Sequence, residues 1–468
     1  MYEGYEHLHP IDVDAIDPAV VKTFEVNPYA NFLGRGIYTA VVTPWVTPAW
    51  HTGWRDETLS WYLTCSFHAG LNPTPAVIIR GPGAKRFLSD TFVNNIERFP
   101  IGSSKHGLML LDDGTVASQG VLMRTGEDEY EANWHSPFLE YRFAQGSYDA
   151  ELEDVTAKRF LFQLQGPRSL EIVEEATDDD LHGLGFIEHG SSSIAGKPVR
   201  VLRFGMANSL GYEIVGNIED SRIVHKRVLE VGSKYGIRPL GFLSYMMNHT
   251  PGGSQQAGFH FMPSAFMDPG FQEFLAATVG RGLFNAFDLA GSAGQDITKR
   301  LMNPFELGLR SVVSFNHEFR GKTALEEYAK EPKRTMKTLV WNPDDLADIY
   351  RSQFSEEPYR PMDEPGFPAV LTGVLGVEHD LVFDQQGNEI GISGGRTVSH
   401  YHRAMLSLAS LDVAFCGDGT EVEVLWGEPG TRQKRVRAVV APMPFNTVNE
   451  NRSFDVSSIP RRATATAG

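Results

Sequence analysis

A strand, a Gly-Pro turn and a helix follow one another twice along the chain, and this repeated unit limits the fold more than any other feature. Ala-Val-Ile-Ile-Arg at 76–80 is a β-rich run, Gly-Pro-Gly at 81–83 turns it, and Ala-Lys-Arg-Phe-Leu-Ser-Asp at 84–90 suits a short helix. The second copy reads Phe-Leu-Phe-Gln-Leu-Gln at 160–165, Gly-Pro at 166–167 and Arg-Ser-Leu-Glu-Ile-Val-Glu-Glu at 168–175. Proline fixes φ and lacks a backbone N–H, so it breaks a ladder yet suits a helix's first turn. Two related α+β subdomains are expected. Between 106 and 145, apolar runs separated by Asp-Asp-Gly and Thr-Gly-Glu-Asp-Glu read as antiparallel hairpins.

A chain of 468 residues is too long for one core, and a prior of roughly 150 residues per domain gives about three. Gly34 to Thr52 reads as extended, Trp54 opens an amphipathic segment, and Ile223, Val224, Val228, Leu229 and Val231 form a helical stripe within 221–236 that should cover a sheet. Residues 251–295 lack periodicity and read as ligand-facing loops or a dimer arm, which leaves a homodimer open. Lys-Glu-Pro-Lys-Arg at 330–334 interrupts a helix that starts at Lys322, placing a boundary there. Beyond it, runs at 336–341, 380–384, 404–411, 421–426 and 435–441 predict a small barrel or sandwich. The expected division is an arm over 1–30, a split domain of 31–74 and 156–334, an insertion of 75–155, a β-rich domain of 335–450 and a loose tail of 451–468.

No apolar stretch approaches the ~18 residues of a membrane span, so no membrane partner is expected. A formal charge of −17 opposes attraction to a phosphate backbone, so neither is nucleic acid. Cys65 and Cys416 are too few for a disulfide framework or a thiolate metal site, and the start of the chain lacks a secretory pattern; a reducing cytoplasm is expected.

Several segments together resemble the folate-dependent aminomethyltransferase (glycine-cleavage T-protein) superfamily. They are Phe-Gln-Leu-Gln-Gly-Pro-Arg-Ser-Leu at 162–170, Gly-Met-Ala-Asn-Ser-Leu-Gly-Tyr-Glu-Ile at 205–214, and Asn-Pro-Phe-Glu-Leu-Gly-Leu with Phe-Arg-Gly-Lys-Thr-Ala-Leu within 303–325. Val-Trp-Asn-Pro-Asp-Asp-Leu-Ala-Asp-Ile-Tyr at 340–350, Leu-Trp-Gly-Glu at 425–428 and Val-Arg-Ala-Val-Val-Ala-Pro-Met-Pro at 436–444 look most like the vanillate, syringate and O-methylgallate demethylases. The resemblance implies an α+β fold of three domains around a central channel. It also implies tetrahydrofolate as cofactor, a small aromatic substrate, and transfer of an aryl methyl group to the folate N5 with a phenol left behind.

Onto that frame fall the candidate residues. Glu213 can accept two hydrogen bonds from a pterin edge, and Gly205 and Gly211 permit close backbone approach. Tyr245 falls where the demethylases place a tyrosine beside the donor's ether oxygen, and a phenol of pKa ~10 can donate to an oxygen that gains charge. His249 and His260 in the following loop, and His135, are further proton-transfer candidates. Phe259 is the stacking candidate, with Trp54, Trp61, Phe261 and Trp341 as core-or-site aromatics. Arg203, Arg396 and Arg403 could meet a carboxylate by forked hydrogen bonds or simply form salt bridges. His400 and His402 alternate as on one face of a strand, but no supporting acid or thiol completes a metal site, and no metal is expected.

The chain also departs from these relatives. Gln119 stands where the resemblance implies an acid, His135 stands near an expected arginine, and Ser-Phe-His-Ala-Gly-Leu-Asn-Pro at 66–73 lacks an expected aspartate and paired histidines. These changes keep two other readings open. One is a folate-independent lyase that releases formaldehyde from a hydroxymethyl group of a lignin-derived dimer, with His68, His135, His249 or a lysine as base. The other is a noncatalytic folate-binding protein.

Overall fold

The computed structural model of the chain describes residues 50–69, 72, 74–278, 287–362 and 375–461, with the antiparallel pair β1 (Ile37–Thr39) and β2 (Val46–Pro48). The arm over 1–30, parts of the 66–73 and 251–295 segments and the last residues of the tail lie outside the described residues.

Both Gly-Pro units fold as their sequences imply. In the second sheet domain, β3 (Cys65–His68), β9 (Arg159–Gln165), β10 (His189–Ile194), β11 (Lys197–Leu202), β12 (Gly211–Asn217) and β13 (Ile237–Pro239) are ordered β10-β11-β12-β9-β3-β13, with β13 parallel to β3 and the rest antiparallel. The chain between β3 and β9 supplies a separate antiparallel sheet: β4 (Ala76–Arg80), β5 (Ser104–Leu110), β6 (Val116–Arg124), β7 (Glu129–Asn133) and β8 (Glu151–Asp154), ordered β5-β6-β7-β4-β8. Each turn is possible only for glycine. Gly81 and Gly166 have φ of 118° and 127°, and a Cβ there would lie 2.8 Å from the Asp149 carbonyl oxygen and 2.6 Å from that of Thr64. The helices that follow, Ala84–Thr91 and Ser169–Thr177, bury Phe87 and Leu88 in one core and Leu170, Ile172 and Val173 in the other.

Strand alternation then decides what each face of the six-stranded sheet does. Phe160, Phe162 and Leu164 of β9 enter the core beneath helices Ser169–Thr177 and Ser221–Gly232, so Leu161, Gln163 and Gln165 point the other way. Helix Ser221–Gly232 covers the sheet through Val224, Val228 and Val231, whereas Ile223 of the expected stripe is 45% exposed.

The carboxyl-terminal strands close a barrel. β15 (Arg334–Trp341), β16 (Leu375–Phe383), β17 (Glu389–Ser399), β18 (Ala404–Asp412), β19 (Glu421–Trp426) and β20 (Lys434–Ala441) run β16-β17-β18-β15-β20-β19, and a β16–β19 pairing shuts the ring. β14 (Phe287–Ala290) adds to β16 in parallel.

Three expectations need correction. Residues 251–295 include helix Pro269–Thr278, whose Phe271 and Leu275 join the core of the five-stranded domain. His400 and His402 follow the end of β17 in a turn, not a strand; His400 stacks on Trp54 at 4.6 Å and His402 meets Tyr62 edge-on at 5.7 Å. The tail is docked as far as 461. Arg203 donates to the Asn451 and Phe454 carbonyls at 3.0 and 3.1 Å, and Ile459 is buried against the six-stranded domain.

Candidate active site

The side of β9 turned away from its helices forms one wall of a cavity of about 340 Å³. Leu161, Gln163 and Glu213 stand on this wall; Gln119 and Gly120 of β6 with residues 133–138 face them from the five-stranded domain. Helix Phe242–Met247 and the 254–266 loop complete the enclosure. The loop region that the sequence assigned to a ligand thus borders the cavity through Ser254 to Gly258.

One row of paired residues organises the polar wall. His68 on β3, Gln163 on β9 and Glu213 on β12 are cross-strand partners, so their side chains share one face. Gln163 Nε2 donates to Glu213 Oε1 at 2.8 Å. Tyr245 lies on this row, its ring stacked on His68 with centroids 4.3 Å apart and 10° between planes. His68 is fixed in turn by donating from Nδ1 to the Leu240 carbonyl at 2.9 Å.

Burial sets the protonation of the row. Burial pushes the Glu213 carboxyl up to about 7, no cation among the described residues bordering the cavity counters this, and the Gln163 hydrogen bond only partly offsets it. Desolvation and the neighbouring Glu213 also raise the Tyr245 phenol above its ordinary range. His68 and His135 are each lowered to about 3, chiefly by burial, and stay neutral at physiological pH.

The candidate residues separate into three groups. Glu213, Tyr245, Gly205 and His135 border the cavity. His249 lies behind Tyr245, its ring 4.5 Å away and edge-on, and donates from Nδ1 to the Tyr245 carbonyl at 2.8 Å. His260, Phe259 and Gly211 do not border the cavity. His260 has both ring nitrogens engaged: the Gln256 N–H donates to Nδ1, and Nε2 faces Thr250 Oγ1, each at 2.9 Å. The Thr250 hydroxyl donates to the Gly395 carbonyl at 2.6 Å, so this histidine ties the loop to the barrel. Phe259 packs in the cluster that contains Trp61 and Tyr245. Both glycines serve the protein's own packing. A Cβ on Gly205 would lie 1.5 Å from the Ser209 carbonyl oxygen, and one on Gly211 would lie 2.1 Å from Gln165 Oε1.

His135 occupies a narrow niche. Its Nδ1 is 3.1 Å from Ser118 Oγ, and a Cβ on either Gly107 or Gly120 would come within 2.9 Å of its Nε2. Arg203, Arg396 and Arg403 are absent from the described lining, as are Trp54, Trp61, Phe261 and Trp341. The aromatic wall is instead Trp134, Phe204, Phe242 and Phe266. Trp134 holds φ at 71°, a left-handed conformation that a bulky residue adopts only when its surroundings impose it. Its N–H donates to the Pro75 carbonyl at 2.9 Å. Gln163 was also missed, although two glutamines among the Phe and Leu that follow Arg159 in β9 signal a polar face.

Comparisons with known proteins bear on the family and the fold. A model of the GCVT N-terminal domain matches residues 41–249. The sesamin methylene transferase of Sinomonas sp. (strain No.22) is 35% identical over 448 residues, covering 92% of this chain and 97% of the relative. The chain belongs to the folate-dependent aminomethyltransferase superfamily. Its place is near the O-demethylases: the syringate O-demethylase of Sphingobium sp. (strain NBRC 103272 / SYK-6) is 28% identical over 89% of this chain and 92% of its own length. Among solved structures, the glycine cleavage system aminomethyltransferase T of Bartonella henselae superposes with a TM-score of 0.65 over 89% of this chain and 96% of that one. At 18% identity that likeness establishes the fold, and the six-stranded β-barrel belongs to it.

No described helix in this aminomethyltransferase-superfamily chain is long and apolar enough to cross a membrane. Away from the cavity, Glu174, Asp180 and His182 bring ligand-type atoms within 4.8 Å of one another. His182 is already held there between Glu174 Oε1 at 2.8 Å and the Ile459 carbonyl at 3.0 Å.

Proposed function

We propose that this chain removes a one-carbon unit from a lignin-derived methoxylated aromatic and passes it to tetrahydrofolate, leaving a phenol. The observation that carries the reading is the buried Gln163–Glu213 pair beside Tyr245 in a cavity walled by aromatic rings. A reduced pterin fits such a wall by its hydrogen-bonding character. Its edge is rich in N–H donors, and the cavity offers the Glu213 carboxyl together with Gln163 Oε1 and Asn133 Oδ1, two buried oxygens without a hydrogen-bond partner. Glu213 and Gln163 would hold the pterin edge, and bound tetrahydrofolate would supply a nucleophilic nitrogen, N5, to accept the methyl group, together with the N5–H proton that converts the phenoxide into the phenol.

The chain's own part in the chemistry falls to Tyr245. As the ether C–O bond breaks, the aryl oxygen takes the bonding pair and needs a hydrogen-bond donor. Because the Tyr245 phenol is raised above the ~10 of an ordinary phenol, its proton stays on Tyr245 Oη. Tyr245 therefore stabilises the departing phenoxide by donation rather than by outright proton loss. The rings of His68 and His249 hold the tyrosine in place, and the aromatic walls exclude water.

The greater identity to the sesamin methylene transferase supports a methylenedioxy carbon as an alternative donor group in the same cavity. A second reading, the formaldehyde-releasing lyase, is favoured by Gln119. This neutral amide stands in the cavity wall and donates to the Gln255 carbonyl at 2.6 Å. In that reaction a base takes the hydroxymethyl O–H proton, the C–C bond breaks to free formaldehyde, and the carbon left behind takes up a proton.

Incubation with vanillyl alcohol, syringyl alcohol and phenylcoumaran-type dimers, with and without tetrahydrofolate, separates these readings by mass spectrometry of the carbon product. Methyl-folate is the expected outcome. Formaldehyde formed without folate would replace the transferase by the lyase.

A further inference from the structure

We propose that the donor taken by this cavity is an uncharged aryl ether, one whose ring bears no carboxylate. The inference rests on the one-carbon reading above and adds the substrate class to it. It follows from what the cavity offers a charge. No lysine or arginine is among the described residues that border it. Trp134, Phe204, Met206, Phe242, Met246 and Phe266 make much of its wall, a surface suited to neutral rings.

The described polar groups that border the cavity supply neutral donors and acceptors but no positive charge. Glu213 is itself an acid on the wall assigned above to the pterin, so it offers a donor's carboxylate no counter-charge. His106 and His135 border the cavity, but burial lowers both, so neither brings a positive charge at neutral pH. Three arginines of the adjoining domains are engaged elsewhere. Arg203 donates to the docked tail, Arg124 to the Phe99 carbonyl at 2.8 Å, and Arg200 to Glu131 at 2.8 Å. A carboxylate entering the cavity would leave water without a counter-ion, and the chain's overall charge of −17 opposes its approach.

The test uses two matched pairs that differ only at the ring substituent: syringate with syringyl alcohol, and methylenedioxybenzoate with methylenedioxybenzyl alcohol. Binding to the wild-type chain is read by calorimetry, and carbon transfer by mass spectrometry of tetrahydrofolate. The alcohols should be bound and used at least about a hundredfold better than the acids. Acids that bind and react as well as the alcohols would overturn the neutral-donor inference while leaving one-carbon transfer standing. Absence of transfer from all four compounds would remove the one-carbon reading and this inference together.

Discussion

Glu213 in the cavity is a buried carboxylate and Glu378 in the barrel a largely buried one, and their surroundings differ in kind. Glu378 accepts from Arg360 Nη2 at 2.9 Å and lies 3.7 Å from Arg396 Nε, and both guanidinium groups sit 5.0 Å over the Trp426 ring. Glu213 meets a neutral amide. In the barrel, then, two arginines stand beside one carboxylate. The cavity carboxyl, by contrast, is held near neutrality by burial and is available to a ligand's N–H donors.

The largest effect should come from breaking the paired acid. Arg360→Ala leaves Glu378 with the more distant Arg396 and should cost about 3 kcal/mol of stability in urea unfolding, with ligand binding by the folded protein unchanged. A stability loss below 1 kcal/mol would show the barrel pair to be no better compensated than Glu213. Next, Tyr245→Phe should lower kcat about a hundredfold with little change in KM, the signature of a hydrogen bond made in the transition state. An equal loss in binding would instead make the tyrosine a positioning residue.

How far the sequence foretold these two regions depends on the type of signal each carries. The Gly-Pro units were readable because a turn at positive φ admits little but glycine, as at Gly81 and Gly166. β17 was missed because Gly391, Gly394 and Gly395 dilute its apolar pattern, and its register with β18 shifts between Gly394 and Thr397. Helix Pro269–Thr278 was missed because it begins at a proline in a stretch that reads as loop, and tertiary packing of Phe271 and Leu275 decides its state. Glu213 and Tyr245 could be named from motifs, but their common wall could not. It arises from the pairing of three strands distant in sequence, His68 with Gln163 with Glu213. For the same reason the burial of His260 and Phe259 away from the cavity was hidden, since neighbouring positions in a loop carry no face.

Smaller effects sharpen the contrast at Glu213. Glu213→Gln should weaken tetrahydrofolate binding by about 2 kcal/mol in titration calorimetry, the loss of a charge-assisted hydrogen bond. The wild-type affinity should also depend on pH. Pterin N–H donors favour the ionised carboxylate, and the free group titrates at about 7, so affinity is full above that pH and falls roughly tenfold per unit below it. The Glu213→Gln protein should lose this slope, and a slope that survives the substitution would assign the titration to another group.

The most direct measurement is a crystal structure of the protein soaked with tetrahydrofolate. The account predicts the pterin edge within about 3 Å of the Glu213 carboxyl and the Gln163 amide, with its ring beside Tyr245. A pterin bound outside this cavity, or an edge turned away from Glu213, would contradict it.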